Sequence, residues 1–453
     1  MTPALVAAAV PFGLPVGAGP LAHGVGTRAD LPLPVGYVVA GGGLAVLVSF
    51  VALGALWRTP RLAGAAAGRP LPRPVAALAH GRPRLVLQAV VLALSVLVVV
   101  IALAGSPDVA QNAAPWAFFV TFWVGLVPVS LLLGPVWGAL NPLRTTYRLL
   151  ARVLPAPARP DLAERWGYRP AALSLLAFAW FELAAPDRSD PRRVGAFLVA
   201  YALVHLVAAA VVGERWFLRG DGFEAYSRLL GALAPVGRRS DGVLVLRNPL
   251  DGAAALPARR GLVAVVVVLV GSTAFDGLGR TQWWQNGFGA GGEAVLPSTT
   301  GPLATVALVG LLFAAGAGLA GRLGGYPGAA APLAHTLVPV AAGYAVAHYF
   351  SLLLFDGQTT WILLSDPFAT GADLLGLTGR GVDYLLVTAR TISLVQVAAI
   401  VGGHVVGTVL AHDRALVLSA AAPAARRPVA SQVPLLAIMV VLTMTGLGLL
   451  LGA

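Results

Sequence analysis

Residues 85–104 read LVLQAVVLALSVLVVVIALA, an uncharged run in which only Gln88 and Ser95 are polar. A helix of this length is about 30 Å long, which matches the hydrocarbon core of a bilayer. Similar runs recur along the 453 residues, of which 58% are hydrophobic and 11% charged. A soluble domain carries roughly a quarter charged residues, so the composition excludes a water-soluble enzyme. We therefore predict an all-α fold, a polytopic transmembrane helical bundle.

Hydropathy predicts ten membrane spans within a single membrane domain, residues 23–453. They cover residues 35–56, 85–104, 115–140, 170–185, 194–213, 261–278, 301–320, 331–355, 388–411 and 431–452. The preceding residues 1–22 are apolar and end in a small residue, and we interpret them as a candidate signal peptide. They lack a basic N-terminal region, so the sequence leaves their cleavage open.

The basic residues, all of them arginine, predict the topology. Of the 31 arginines, 24 fall in every second loop, mainly in 57–84, 141–169 and 214–260. The positive-inside rule places these loops in the cytoplasm and both termini outside, in a multi-pass protein of the plasma membrane. The excess charge then favours anionic lipid as a partner, and nucleic acid is not predicted. Within 214–260, apolar residues at helical spacing over 221–234 predict an amphipathic helix on the membrane surface.

Two residue types are missing, and their absence excludes several enzyme classes. The chain has no cysteine and no lysine. Disulfides, thiolate metal sites and cysteine nucleophiles are therefore excluded. A P-loop and Schiff-base chemistry need a lysine and are excluded as well. The sequence also contains no Gly-x-Ser-x-Gly and no His-Glu-x-x-His.

Three histidines form a predicted inner layer, nearer the arginine-rich loops. They are His205 in the fifth span, His335 in the eighth and His404 in the ninth. Imidazole is a common ligand of transition metals and of haem, so the three together would suit a divalent metal. His205 and His404 alone would suit the two axial positions of a haem. Alternatively, each histidine forms hydrogen bonds with a neighbouring helix and supports packing.

A predicted outer layer contains carboxylates and one more histidine. Its members are Glu182, Asp276, His348 and Asp356. Ionisable residues inside spans are costly, so they indicate function by default. This set would suit a divalent metal that activates water for hydrolysis. It would equally suit a proton or cation path of a transporter. Asp276 and Asp356 also fit ordinary helix ends.

Several stretches carry a family resemblance. They are HGVGTRADLPLP at 23–34, WGALNP at 137–142, WFEL at 180–183, AHYFS at 347–351, LSDPF at 364–368, and GH at 403–404 through AHDR at 411–414. Together they resemble actinobacterial multi-pass membrane proteins described as fenitrothion hydrolase-like. The resemblance implies hydrolysis of an apolar phosphotriester with a second membrane subunit as partner. It would place that chemistry at the outer layer, beneath Trp283 and Trp284.

Overall fold

The computed structural model describes residues 33–78, 81–289, 295–421 and 429–452. The candidate signal peptide, 1–22, lies outside these residues. The first half of the chain forms helices α1 Val35–Leu56, α2 Arg73–Leu78, α3 Gly81–Ala104, α4 Ala113–Trp116, α5 Leu126–Leu133, α6 Val136–Leu140, α7 Pro142–Leu150, α8 Leu162–Trp166, α9 Arg169–Leu183 and α10 Pro191–Val212. A π-helical segment, Ala117–Val124, joins α4 to α5.

The second half contains longer helices with short ones between them. They are α11 Arg215–Gly220, α12 Gly222–Ala232, α13 Pro249–Ala254, α14 Leu262–Gly279, α15 Gln282–Trp284, α16 Val295–Gly324, α17 Ala330–Leu333, α18 Val338–Leu364, α19 Ala389–Ala420 and α20 Val433–Gly452. A second π segment, Gln285–Gly289, follows α15. Four 3-10 turns complete the list: Gly64–Ala66, Val109–Gln111, Ala334–Leu337 and Ala430–Gln432.

The predicted all-α membrane bundle is confirmed. Within the described residues, nine helical segments are long and apolar enough to cross a membrane. The most apolar 18 residues of α3 are only 17% buried, because α3 exposes leucines and valines on the outside of the bundle. The corresponding part of α18 is 72% buried and that of α14 is 61% buried. These two helices therefore form the centre of the bundle.

The fourth predicted span, residues 170–185, is not among these nine segments. It corresponds to α9, which has 15 residues and is about 22 Å long. The helix nevertheless connects the two ends of the bundle. At its start the Tyr168 N–H donates to the Arg260 carbonyl, just before α14 begins. Near its end the Trp180 indole donates to Thr299 in α16. A short, buried helix can therefore run between these ends without spanning a full bilayer thickness.

The arginine-rich loops gather at one end of the bundle, here called the arginine-rich end. Strand β1, Arg69–Pro70, pairs with β3, Leu244–Leu246, which also pairs with β2, Val236–Arg238. This antiparallel sheet, in the order β1-β3-β2, joins the first arginine-rich loop to the third. The far side of the bundle is called the opposite end.

Helix α12 corrects the prediction of a helix on the membrane surface. All of its residues except Arg228 are buried, the polar Glu224 and Ser227 included. The helix packs against α5, α6 and α9. Its polar face does not meet water because Ser227 bonds Ser130 at 2.8 Å and Glu224 bonds Arg144. The alternation of polar and apolar residues in α12 therefore matches polar and apolar groups of neighbouring helices, and it does not indicate water on one side and lipid on the other.

Candidate functional site

Three of the predicted outer-layer residues meet at the opposite end of the bundle. Glu182 lies one residue before the end of α9, Asp276 lies in the last turn of α14, and His348 lies in the middle of α18. The two central helices thus bring an acid and a histidine together. Arg280, one turn after Asp276, joins them, and we call Glu182, Asp276, Arg280 and His348 the Asp276 group.

The distances within this group are short. His348 Nε2 lies 2.6 Å from Asp276 Oδ2, and an Arg280 NH2 donates to Asp276 Oδ1 at 2.9 Å. The same Arg280 nitrogen lies 3.1 Å from His348 Nε2. A protonated Nε2 donates to the carboxylate, whereas an unprotonated Nε2 accepts from the guanidinium. His348 Nε2 therefore has a suitable partner in both protonation states.

Glu182 reaches the group across a small cavity. The cavity has about 20 Å³ of space for water centres, enough for about one water molecule. Glu182, Asp276, Ser272 and Thr273 line it, together with Trp123, Tyr226 and Tyr349. Glu182 also contacts the Tyr349 hydroxyl, to which the Trp123 indole donates at 3.4 Å. A single water can therefore join the two carboxyl groups.

Tyr344 lies one helical turn below His348 on α18. Its ring is stacked on the imidazole, with ring centroids 5.8 Å apart and planes 19° apart. Its hydroxyl fills the space beside Gly277, where an added Cβ would lie 2.6 Å from that oxygen. Glycine next to Asp276 is thus required for the tyrosine to approach α14.

Asp356 does not join the group. It lies two turns beyond His348 on α18, about 12 Å further along the helix axis. Among the described residues it makes no ion pair or hydrogen bond, and it does not line the cavity. Its predicted catalytic role alongside the other three is therefore unsupported by the geometry. The helix spacing places it outside contact range.

The predicted aromatic cover lies beside the group. Trp284 packs edge-on against Phe275, the residue before Asp276, with ring centroids 5.1 Å apart. Trp283 and Phe288 continue this stack, and Trp283 is 67% exposed. The segment therefore has one face on α14 and one face directed away from the bundle, which suits an interfacial position.

The donor set does not fit a divalent metal. The described part of the chain contains no group of three histidine, aspartate or glutamate side chains that could hold one. Both oxygens of Asp276 are engaged, one by Arg280 and one by His348. The Arg280 guanidinium would also repel a cation at this position. The metal-assisted chemistry expected at the outer layer thus lacks its ligands.

His205 belongs to a different part of the bundle. Helix α10 packs against α3, α4, α7 and α11. The Trp216 indole donates to His205 Nδ1 at 2.9 Å, so His205 must carry its proton on Nε2. That nitrogen lies 3.3 Å from Ser174 Oγ, which accepts. Both ring nitrogens are occupied, so the predicted metal and haem roles of His205 have no structural support.

His335 and His404 each donate Nδ1–H to a backbone carbonyl. The acceptors are Pro332 for His335, at 2.9 Å, and Ile400 for His404, at 2.8 Å. His335 lines a cavity beside Leu410, which is six residues and about 9 Å along α19 from His404. The three inner histidines therefore occupy three separate environments. The predicted shared metal layer is not formed.

A second buried polar cluster, near the arginine-rich end, was not among the predicted sites. Asp221 accepts from Tyr201, Asn141 and two backbone N–H groups at the start of α12. Asn141 also donates to Glu224, which pairs with Arg144 at 2.5 Å. The spacing Asp-x-x-Glu at 221–224, which is typical of a helix start, was the available signal. Asp221, Asn141 and Glu224 all have hydrogen-bond partners here, and the cluster holds helices together.

The sequence analysis missed Arg280 of the Asp276 group and the neighbouring Tyr344. Arg280 could have been found, because an arginine four residues after an aspartate lies on the same helix face. Tyr344 could not, since its role depends on which helices adjoin.

Comparison with known proteins adds no family to this picture. The chain matches no protein-family model, no curated protein and no solved structure. The fold and composition identify a helical multi-pass membrane protein embedded in a lipid bilayer.

Proposed function

We propose that this protein translocates protons across its membrane, as a transporter whose proton-binding site is the Asp276 group. The observation that carries the proposal is the position of His348 Nε2 between an acceptor, Asp276 Oδ2, and a donor, Arg280. A side chain with a partner in each protonation state can take up and release a proton without losing its hydrogen bonding. That property is what a proton relay requires.

Three members of the group can exchange protons, and one cannot. Glu182, Asp276 and His348 each have a side chain that can bind or release a proton, whereas Arg280 stays charged. Arg188, on the loop after α9, adds a more exposed positive charge near Glu182. The fixed cations hold negative charge in the group, while the water-sized cavity provides a path between its two acids.

The location supports the same function. Ionisable groups inside a membrane bundle face its interior and mark ion or proton pathways in transporters. Asp276 and His348 lie on the two most buried membrane helices of the described chain. Ionisable side chains at such a position cost solvation free energy, which favours a functional role such as transport.

Hydrolysis of an apolar phosphotriester, implied by the family resemblance, receives less support. That reaction would use a metal-activated water at Glu182, Asp276, His348 and Asp356. Asp356 lies apart, and Arg280 occupies the place beside Asp276 that a metal would need. We therefore put proton translocation first.

Reconstitution into liposomes tests the proposal. A potassium gradient with valinomycin makes the lumen negative, and trapped pyranine reports proton entry. We expect protein-containing liposomes to acidify faster than empty ones, and Asp276→Asn to slow entry by roughly a hundredfold, the range for loss of a positioned proton-transfer group.

The matched control is Asp356→Asn, which makes the same change on α18 outside the group. We expect it to conduct protons at the wild-type rate. Wild-type liposomes that acidify no faster than empty ones would overturn the proposal. Equal rates for Asp276→Asn and the wild type would overturn it as well.

A further inference from the structure

We infer that protons travel between the arginine-rich end and the Asp276 group along the seam of α18, α19 and α20, with His404 and Tyr344 as relay residues. This inference rests on the proposed function and specifies the route through the bundle. The route begins at a cavity near His335 and ends at His348.

Helices α18 and α19 run antiparallel and touch closely. A Cβ on Gly343 would lie 3.1 Å from Gly403 Cα, and a Cβ on Gly407 would lie 2.8 Å from the Thr336 carbonyl oxygen. These contacts fix the register: His404 lies near the level of Val340, one turn below Tyr344. The residues of the route therefore follow one another along a single seam.

Two buried polar atoms on this seam have no hydrogen-bond partner among the described residues. They are the Tyr344 hydroxyl and His404 Nε2. Tyr344 is 7% exposed and His404 3% exposed. Leaving such an atom unpaired costs about 1–3 kcal/mol, so unpaired buried groups are rare and call for a functional explanation. Both atoms lie between the cavity near His335, where the route begins, and His348, where it ends.

The hydrogen bond of His404 defines which nitrogen is reactive. The Ile400 carbonyl can only accept, so Nδ1 carries the proton and Nε2 carries a lone pair. Ile400 and the ring of Tyr344 both border Gly446 of α20, at 3.9 and 3.8 Å from a Cβ placed there. His404 and Tyr344 are therefore about one turn, or 6 Å, apart along the axis of the seam.

A cavity provides the entrance at the arginine-rich end. It has about 200 Å³ of space for water centres and is lined by His335, Asp413, Arg414 and Leu410 among others. Leu410 lies about 9 Å along α19 from His404. The buried Thr408 hydroxyl lies between them and donates to the His404 carbonyl. Water from the arginine-rich end can thus come within a few residues of His404.

The charged groups that face the route lie at its two ends. Asp413 and Arg414 face the cavity, and Asp276 and Arg280 face His348. Helices α1 and α20, which pack against α19, contain no charged residue. Among the described residues, the titratable side chains in the middle of the seam are therefore His404 and Tyr344.

The transfer balances in two steps. A hydronium ion in the cavity gives its proton to His404 Nε2, leaving water and an imidazolium. The new N–H bond then breaks as the Tyr344 oxygen takes that proton and releases its own towards the His348–Asp276 pair. The imidazole and the hydroxyl are both restored, and one positive charge has moved along the seam.

A parallel route along α9 is blocked. Ser174 and Glu182 lie on the same helix, about 12 Å apart, but Phe178 lies between them and is 1% exposed. Phe118 and Phe223 pack edge-on against it, with ring centroids at 5.6 and 5.1 Å. A layer of aromatic rings offers no group that can carry a proton.

Removing one hydroxyl tests the route in the liposome assay described above. We expect Tyr344→Phe to slow proton entry at least roughly tenfold, because the phenyl ring cannot relay a proton. The control is Tyr326→Phe, which removes a hydroxyl at the same 7% exposure but outside the seam, and should leave the rate unchanged. If Asp276→Asn blocks entry while Tyr344→Phe conducts like the wild type, the route is wrong and the proposed function stands. If wild-type protein conducts no protons, both are wrong.

A spectroscopic measurement on the wild-type protein does not depend on any variant folding. His404 is the only one of the seven histidines that follows a glycine. Labelling glycine carbonyls with ¹³C and histidine with ¹⁵N therefore isolates it in solid-state NMR of the protein in lipid. We expect a protonated Nδ1 and an unprotonated Nε2 at neutral pH. A proton on Nε2 would overturn the relay, because Nε2 could then not accept one from the cavity.

Discussion

Replacing Arg144 by methionine should be among the most destabilising changes at the arginine-rich end. Arg144 NH2 lies 2.5 Å from Glu224 Oε1, and the exposed fractions of the two side chains are 13% and 1%. Burial lowers the pKa of Arg144, but the hydrogen bonds to Glu224 and then Glu214 outweigh it and raise the pKa above its ordinary value. The pair is therefore held in its ionised form within the protein.

The expected cost follows from the charge that would remain. Removing one partner of a buried ion pair costs about 3–5 kcal/mol, because the other charge is left uncompensated. Arg228 lies 3.8 Å from Glu224 and would compensate part of that charge. We therefore expect Arg144→Met to lower the free energy of unfolding by about 3 kcal/mol. Arg148→Met is the control: its pair with Glu214 is about 40% exposed, which predicts a cost of about 0–1 kcal/mol.

The assay is equilibrium unfolding of the detergent-solubilised protein by SDS, followed by fluorescence of its ten tryptophans. Thiol-reactive dyes are of no use because the chain has no cysteine. The double variant Arg144→Met, Glu224→Gln should be more stable than Arg144→Met alone, since it removes the buried carboxylate that Arg144 compensates. Equal stability of Arg144→Met and Arg148→Met would refute the reasoning. So would a double variant less stable than Arg144→Met.

Two further predictions concern helix packing and a loop. Gly403→Ala should destabilise the protein by about 1–3 kcal/mol, because its Cβ would lie 2.5 Å from a backbone oxygen of α18. Gly402→Ala, with nothing within 4 Å, should be neutral or slightly stabilising in the same unfolding assay. In the loop after α18, hydrogen bonds from the Ser365 hydroxyl and then the Thr378 N–H lower the pKa of Asp373 to about 2. Because this pKa is depressed, the stabilisation is present above the unfolded value near 4 and is lost as the pH falls towards 2. Hydrogen exchange should show Thr378 losing protection over that range, and at neutral pH in Asp373→Asn.

The membrane bundle could be predicted from the sequence because hydropathy is a local property. The run at 85–104 lies within α3, and the 18 residues of α14 fall almost entirely inside the predicted 261–278. The predicted span 170–185 also agrees with α9, Arg169–Leu183, to within two residues at each end. The end of α9 was the less predictable one, because the apolar run continues to Ala185 while a hydrogen bond from the Ala185 N–H back to the Trp180 carbonyl ends the helix.

The site was predictable in part. Depth along the spans placed Glu182, Asp276, His348 and Asp356 in one layer, and the structure brings the first three together but not Asp356. The same reasoning grouped His205 with His404, which lie on helices in different parts of the bundle. Depth along a span gives the position of a residue along the helix axis only. Whether two residues at the same depth are in contact also depends on which helices adjoin.

Buried histidines in a membrane bundle are distinguished by what their second nitrogen meets. In His205, indole and hydroxyl partners satisfy both nitrogens, so the ring is locked in one tautomer and serves packing. In His404 one nitrogen donates and the other is an unpaired acceptor. In His348 a single nitrogen lies between the Asp276 carboxylate and an arginine. A ring with a fixed partner on each nitrogen serves packing, whereas the vacant Nε2 of His404 and the two-partner Nε2 of His348 have the hydrogen-bonding geometry that the proposed relay requires.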